Sequence, residues 1–274
     1  MKREVRCVIR YLLIAFLLPL VSIVLQGAIE NEIAVFLLYG IQAASPSIAA
    51  IVEIKFFEKK RFGDYFKFSI SMIAILVPLF LACFTMLFSK SIYALYIGDK
   101  TIIAGLSTKE WIIVLWALIA EEFGWRGFLE PYLRRTTKHL ILATLITGII
   151  WSCWHYHYFI QNSMEVPIML FVAGAVIESF IYSYLLEITD QNLLSSMIYH
   201  FSWNLFLHLL LINPSYNNGS IVPYTCVIIF EFVIVLIMNT VKRKVKGFRG
   251  VTLSIRDNPQ FRLRKYNDKQ DDNW

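Results

Sequence analysis

The chain has 274 residues, of which 57% are hydrophobic and 17% are charged. The charged residues fall mostly between long apolar blocks, and the mean hydropathy is +0.58. Several of these blocks reach the roughly 20 apolar residues that a membrane-spanning helix needs, which the core helix of a soluble protein rarely does. The composition therefore argues against soluble domains and predicts an all-α fold, a polytopic membrane helical bundle.

The net charge of +6 does not indicate nucleic-acid binding, because the basic residues cluster beside the apolar blocks. Basic clusters at such positions set the topology of membrane proteins and contact anionic lipids. We therefore expect the lipid bilayer, and no nucleic acid, as the partner of these residues.

Apolar length and spacing predict eight membrane spans in a single bundle that covers residues 1–241. The first apolar block lacks a small-residue cleavage site, so we expect it to remain as a signal anchor. The predicted spans cover residues 8–26, 33–54, 68–88, 111–133, 139–159, 166–188, 192–212 and 223–241.

The Lys and Arg residues are distributed unevenly between the two sides that these spans define. With the amino terminus inside, all 26 lie on inner segments except Lys90, Lys100 and Lys109. An excess of Lys and Arg marks cytoplasmic segments, so we predict that both termini are cytosolic. The charge-mixed residues 242–274 are predicted to form a flexible basic cytosolic tail that begins on the membrane surface.

Prolines and turn signals predict further features of the first half of the chain. Pro19, Pro46 and Pro78 fall inside the first three spans, where we expect structural kinks. The segment 89–110 is too polar to span a membrane and contains Gly98-Asp99, a turn signal, so we predict an outer loop there.

The four cysteines are scattered and form no CxxC pair, which argues against a zinc knuckle or a disulfide framework. Each is interpreted as a small apolar residue within the bundle. They are Cys7, Cys83, Cys153 and Cys226.

Two adjacent acids and an arginine interrupt the apolar run of the fourth span, in residues 120–126 (AEEFGWR). An ionised side chain near the centre of a span costs roughly 2.5 to 3.5 kcal/mol on insertion scales, so these residues need a compensating role. Glu122 and Arg126 are one helical turn apart, which predicts a structural ion pair. Glu121 faces elsewhere without a local partner, and an intramembrane carboxylate of that kind is a candidate functional residue.

Histidines mark the fifth and seventh spans. His155 shares a helix face with an aromatic residue one turn earlier, and packing and function are equally compatible with that position. His157, near the end of the fifth span, is interpreted as an interfacial residue. In the seventh span His200 and Asn204 share a face, which is also the pattern of interhelical hydrogen bonds. His208 extends this polar stripe outward and is interpreted as structural.

Three motifs follow one another on three separate spans: Glu-Glu-x-x-x-Arg, aromatic-x-x-x-His and His-x-x-x-Asn. They stand at residues 121–126 (EEFGWR), 151–155 (WSCWH) and 200–204 (HFSWN). In this combination the chain resembles the CAAX-protease and bacteriocin-processing (CPBP, Abi) family of intramembrane proteases, over roughly residues 110–210. Trp151 stands where phenylalanine is commoner in the family.

The resemblance implies hydrolysis of a peptide bond within or beside the membrane, without a cofactor. It implies that Glu121 is the general base that activates water and that His155 helps or orients it. It also implies that His200 and Asn204 donate hydrogen bonds to the oxyanion of the tetrahedral intermediate.

A zinc site is an alternative, because Glu121, His155 and His200 are a ligand set of many hydrolytic zinc sites. The spacing does not establish that the three side chains meet. At about 1.5 Å of rise per residue, Glu121 is roughly 20 Å, His155 roughly 24 Å and His200 roughly 12 Å from the cytosolic ends of their helices.

Two other functions are compatible with the same residues. The first is a non-catalytic membrane scaffold or bacteriocin-immunity regulator that retains the protease fold. The second is a transporter with Glu121 as a proton relay, which is disfavoured because the chain has no internal repeat and few other acids are expected to be buried. We expect a membrane-associated peptide or protein as substrate, and the high Ile, Lys and Asn content favours a bacterial cell membrane as the location.

Overall fold

The structure, a computed structural model, describes residues 3–98 and 102–249. Helices are the only regular secondary structure within these residues, apart from one isolated parallel bridge between Lys67 and Asn192. The prediction of an all-α membrane bundle is confirmed.

Twelve α-helices and two π-helical turns build the bundle in the described ranges. The helices are α1 (Arg3–Ala28), α2 (Glu32–Ala43), α3 (Ser45–Val52), α4 (Met72–Ile97), α5 (Thr108–Ala120), α6 (Glu122–Gly124), α7 (Glu130–Thr137), α8 (Leu140–Trp154), α9 (Tyr156–Ile160), α10 (Ile168–Ile188), α11 (Leu193–Leu209) and α12 (Val222–Arg249). The π-helical turns are Glu53–Phe57, after α3, and Trp125–Leu129, between α6 and α7.

Five helical segments in the described part of the chain are long and apolar enough to cross a membrane, or six if the bent pair α2 and α3 is one span. The predicted count of eight is therefore not confirmed. The remaining two predicted spans correspond to α11, which has only 17 residues, and to the broken run from α5 to α7. Large apolar side chains such as Val24, Phe84 and Leu95 are more than half exposed on the outside of the bundle, as expected of surfaces that face lipid.

The second predicted span is bent by 63° where α2 meets α3. Pro46 lies in the first turn of α3, where a helix needs no N–H donor, so it starts a helix and does not kink one. Pro19 and Pro78 lie inside α1 and α4, as predicted.

The fourth predicted span, residues 111–133, is not one continuous helix. Helix α5 ends at Ala120, Glu121 caps it, and the chain continues through α6 and the π-helical turn Trp125–Leu129. Single π-helical turns within helices are frequent at functional sites. Here the break lies within the acidic motif.

The break in the fourth span contacts the break in the second. A Cβ atom added to Gly124 would lie 2.4 Å from the carbonyl carbon of Pro46, so only a glycine permits this approach of the two backbones. The bend at Pro46 and the acidic motif therefore fix one another.

The predicted outer loop, residues 89–110, is partly wrong. Helix α4 continues to Ile97 and ends at Gly98, whose φ of 73° is the left-handed conformation typical of a helix C-terminus. Lys90 is fully buried within it and donates to Asn217 Oδ1 at 2.6 Å. Because Asn217 accepts this hydrogen bond, Lys90 can be buried in a helix where the sequence predicted a loop. Lys100 and Asp99 lie outside the described residues.

Two partly buried arginines near the predicted cytosolic side pair with buried acids and connect neighbouring segments. Arg10 of α1 donates twice to Glu53, through Nε and Nη2, both at 2.8 Å. Arg134 of α7 donates to Glu130 Oε1 at 2.6 Å and to Ser183 of α10 at 2.8 Å. Bidentate and shared contacts of this kind resist rotation of the helices that carry them.

Helix α12 continues to Arg249, beyond the predicted end of the last span at residue 241. The first residues of the predicted tail, 242–249, are therefore helical. The rest of that tail, 250–274, lies outside the described residues.

Candidate active site

Glu121 lies at the break between α5 and α6, and only 6% of it is exposed. Its Oε2 atom accepts hydrogen bonds from two indole N–H groups, that of Trp125 at 3.2 Å and that of Trp151 at 2.8 Å. The expectation that Glu121 lacks a local partner is therefore wrong, because Trp125 follows it by one turn. Two donors on one oxygen fix the direction of the carboxylate.

The other oxygen of Glu121 faces His200 of α11. Glu121 Oε1 and His200 Nε2 are 3.8 Å apart, which is longer than a hydrogen bond. His200 is 7% exposed. The fourth and seventh predicted spans thus bring a carboxylate and an imidazole together in the interior of the bundle, although rise per residue put them at different depths.

Glu122 holds the opposite side of the same imidazole. Its Oε1 atom lies 2.9 Å from His200 Nδ1 and 3.4 Å from Arg126 Nη1. A carboxylate oxygen can only accept, so Nδ1 carries a proton and the tautomer is assigned from this partner. The imidazole of His200 therefore stands between the two adjacent acids.

Arg126 is enclosed by groups that suit a guanidinium. Its Nη2 atom donates to Ser179 Oγ at 3.2 Å, and its Cζ atom lies 3.9 Å from the ring centroid of Tyr182 and 4.5 Å from that of Trp151. Cation–π contacts and an ion pair with Glu122 compensate the loss of hydration that burial imposes on the charge.

His155 lies at the junction of α8 and α9. Its Nδ1 atom is 2.8 Å from the carbonyl oxygen of Trp151, which can only accept, so this nitrogen also carries a proton. The two rings are in edge contact with centroids 5.4 Å apart. Because the indole of Trp151 also bonds to Glu121, Trp151 connects His155 to the carboxylate.

Asn204 is half-buried one turn beyond His200. Its Nδ2 atom donates to the backbone carbonyl of His200 at 3.0 Å. An amide nitrogen carries two N–H groups, so the second one is not used by this bond.

Two histidines of the sequence analysis lie outside this cluster. His157 is fully buried and its Nδ1 atom is 2.6 Å from Gln42 Nε2, so its interpretation as an interfacial residue is wrong. Gln42 Nε2 also donates to Gln161 Oε1, at 2.7 Å. His208 lies in the last turn of α11, and its Nδ1 atom is 3.6 Å from Glu110 Oε1.

Four further acids are buried in the bundle and were not predicted from the sequence. Each lies within or next to a predicted span, and that position was the available signal. They are Glu53, Glu130, Glu178 and Glu231. The expectation of few other buried acids is therefore wrong.

Within the described ranges, no group of three or more His, Cys, Asp or Glu residues is arranged to hold a metal ion. The proposed zinc ligands Glu121, His155 and His200 are therefore not seen as one ligand set in this conformation.

Comparison with known proteins agrees with the motifs. Residues 107–206 match the model of the type II CAAX prenyl endopeptidase Rce1-like family. No curated protein matches the chain. The matched stretch contains all three motifs, and this confirms the resemblance to the CAAX-protease family that the motifs indicated. A domain of this family implies peptidase activity in general.

Proposed function

We propose that this chain is an intramembrane endopeptidase in which Glu121 activates water to hydrolyse a peptide bond of a membrane-associated peptide. The observation that carries the proposal is the 3.8 Å approach of His200 Nε2 to Glu121 Oε1 among buried groups. At this separation the carboxylate can contact the attacking water while the imidazole contacts the carbonyl oxygen of the substrate, as the reaction requires.

The two oxygens of Glu121 have different tasks in this mechanism. Oε2 is held by the indoles of Trp125 and Trp151, and Oε1 takes a proton from water as the water oxygen attacks the scissile carbonyl carbon. The tetrahedral intermediate then collapses with cleavage of the C–N bond, and Glu121 returns the proton to the leaving amine. The products are a carboxylic acid and an amine.

His200 and Asn204 are the residues that donate hydrogen bonds to the oxyanion of the tetrahedral intermediate in this mechanism. In the imidazolium form both ring nitrogens of His200 are donors, one to Glu122 and the other towards the developing charge. The second N–H of the Asn204 amide is the other candidate donor. Hydrogen-bond donors that are already in position in a water-poor interior stabilise the developing charge more than donors in water do.

His155 is assigned to orienting the base. It contacts Trp151 through a hydrogen bond and through its ring, and Trp151 donates to Glu121. Through these contacts His155 helps to fix the direction of the Glu121 carboxylate, which is the orienting role expected of it.

Glu122 has two separable contributions, to charge balance and to the orientation of His200. Glu122→Leu leaves Arg126 buried without its opposite charge and is expected to lower the free energy of unfolding by about 3 to 5 kcal/mol. Glu122→Leu combined with Arg126→Met is expected to recover most of that loss but no activity, because His200 Nδ1 has lost its acceptor. Thermal unfolding in detergent and peptide cleavage measure the two effects.

The matched control is a second ion pair with the same spacing, which is largely buried. Glu130→Leu combined with Arg134→Met removes an ion pair that does not bond to a histidine. It is expected to retain cleavage. Wild-type cleavage by the Glu122→Leu/Arg126→Met protein would show that Glu122 serves Arg126 alone.

A lipidated carboxyl-terminal peptide is the substrate class that the description of the matched family suggests. A prenyl group on a CAAX cysteine anchors such a peptide at the membrane. We expect purified protein in lipid nanodiscs to cleave a quenched prenylated CAAX peptide faster than the same peptide without the prenyl group. Equal rates would show that the prenyl group is not recognised and would remove lipidation from the proposed substrate class.

The metal-free mechanism is the one proposed, and zinc bound by Glu121, His155 and His200 is its alternative. Elemental analysis of active protein, with a chelator control, separates the two. Zinc at one ion per chain that follows activity would favour the metal mechanism.

We further propose that the protein lies in a bacterial cell membrane, on its high Ile, Lys and Asn content, and that both termini are in the cytosol, on the distribution of its Lys and Arg residues.

A scaffold or immunity regulator requires none of the side-chain geometry around Glu121. Equal complementation in cells by wild type and by His200→Ala would favour that alternative.

A further inference from the structure

Glu231 is a buried acid in the middle of α12, outside the stretch that matches the family. Only 1% of the residue is exposed. Its Oε1 atom accepts two hydrogen bonds, from Tyr199 Oη at 2.9 Å and from Trp203 Nε1 at 3.1 Å. Both donors belong to α11.

These two donors stand on either side of His200 in the sequence and are one helical turn apart. A single acceptor that holds two side chains on one face of a helix opposes rotation of that helix about its axis. Trp203 also contacts the ring of Tyr224, another residue of α12, at 6.2 Å. The contacts with α12 therefore fix the angle at which α11 presents its remaining faces.

Tyr199 is also connected to Arg126 and His200 through the ring of Tyr182. The ring of Tyr199 is in edge contact with that of Tyr182, with centroids 5.1 Å apart. Tyr182 in turn lies against the guanidinium of Arg126 and 6.3 Å from the ring of His200. Displacement of Tyr199 would therefore also disturb the packing around Arg126.

Small rotations of α11 matter because His200 must meet Glu121 and Glu122 at the same time. An imidazole roughly 6 Å from a helix axis moves by about 1 Å when the helix turns by about 10°. A displacement of about 1 Å lengthens the 2.9 Å contact with Glu122 beyond hydrogen-bond range.

We propose that Glu231 is a positioning residue for His200, so that the catalytic unit extends beyond the matched stretch to α12. It acts through Tyr199 and Trp203 and touches no reacting atom. The effect on cleavage rests on the proposed peptidase function, whereas the effect on the His200 ring does not.

The test compares two substitutions that differ in a single property. Glu231→Gln keeps an acceptor oxygen for both donors and is expected to retain kcat within about twofold, whereas Glu231→Leu removes it and is expected to lower kcat by roughly 10- to 100-fold with KM little changed. Tyr199→Phe removes one of the two bonds and serves if Glu231→Leu does not fold. Phe232→Leu, at a half-exposed neighbour on α12, is the control.

The ring of His200 provides a readout that is independent of activity. In nitrogen-15 spectra of histidine-labelled protein, its signals are identified by their loss in His200→Gln. We expect them to shift in Glu231→Leu and Tyr199→Phe and to stay in place in Glu231→Gln and Phe232→Leu. Unchanged His200 signals in both Glu231→Leu and Tyr199→Phe would overturn the proposal. If the wild type cleaves no peptide, the spectra still decide the role of Glu231, and only the proposed peptidase function fails.

Discussion

Glu121→Gln is expected to lower kcat for cleavage by about 10²- to 10⁴-fold, the contribution that a general base typically makes. Glutamine cannot take a proton from water at neutral pH. Its amide oxygen can accept the indole bonds of Trp125 and Trp151 in place of Oε2, so the variant should fold. Cleavage rates and thermal unfolding of the purified protein separate the loss of chemistry from a loss of structure.

The control is an exposed acid that has no role in the proposed mechanism. Glu30→Gln changes an exposed residue in the short link between α1 and α2 and should leave cleavage at the wild-type rate. A folded Glu121→Gln protein that cleaves as fast as Glu30→Gln would remove Glu121 from the mechanism.

Gly124→Ala is expected to disrupt the site through the backbone. The added Cβ atom would lie 2.4 Å from the carbonyl carbon and 2.5 Å from the carbonyl oxygen of Pro46, and neither backbone atom can turn away as a side chain would. Overpacking in a well-packed interior typically costs about 1 to 3 kcal/mol, and a contact with backbone belongs at the upper end of that range. We expect a lower unfolding temperature and little cleavage, because Glu121 and Glu122 lie on the segment that must shift.

Gly40→Ala is the matched control. Gly40 is also helical and lies within a membrane segment, but a Cβ atom there would meet only the Trp116 side chain, at 3.9 Å, an ordinary contact. It should leave stability and cleavage almost unchanged. Equal tolerance of alanine at both glycines would contradict the close approach of the two broken spans.

Local patterns in the sequence predicted a large part of the site. The spacing of Glu122 and Arg126 indicated a contact that lies within one helical turn, where sequence distance and spatial distance agree. The same reasoning related His200 to Asn204. The motifs, taken together, indicated which of the many apolar helices carry functional residues.

Contacts between helices could not be predicted in the same way. Straight helices put Glu121 and His200 at different depths, and the 3.8 Å approach depends on the break after Ala120, which apolar periodicity does not reveal. A π-helical turn changes the register of all later residues in its segment, so a continuous span was the natural but wrong prediction.

The partners of buried polar groups also depend on tertiary structure. His157 and Lys90 were assigned to the interface and to an outer loop because both are polar, yet each is buried against an amide side chain from a distant segment, Gln42 or Asn217. Burial of a polar group is favourable only when such a partner exists, and the sequence does not say which segment supplies it.

The most direct test of the central claim is cleavage of a prenylated CAAX peptide in water that carries the heavy oxygen isotope. We expect purified wild-type protein in nanodiscs to cut one bond, with the heavy isotope in the new carboxyl group by mass spectrometry, and folded Glu121→Gln to leave the peptide intact. Cleavage by folded Glu121→Gln at the wild-type rate would contradict the central claim that Glu121 activates water, and a peptide left uncut by folded wild-type protein would contradict the proposed substrate class.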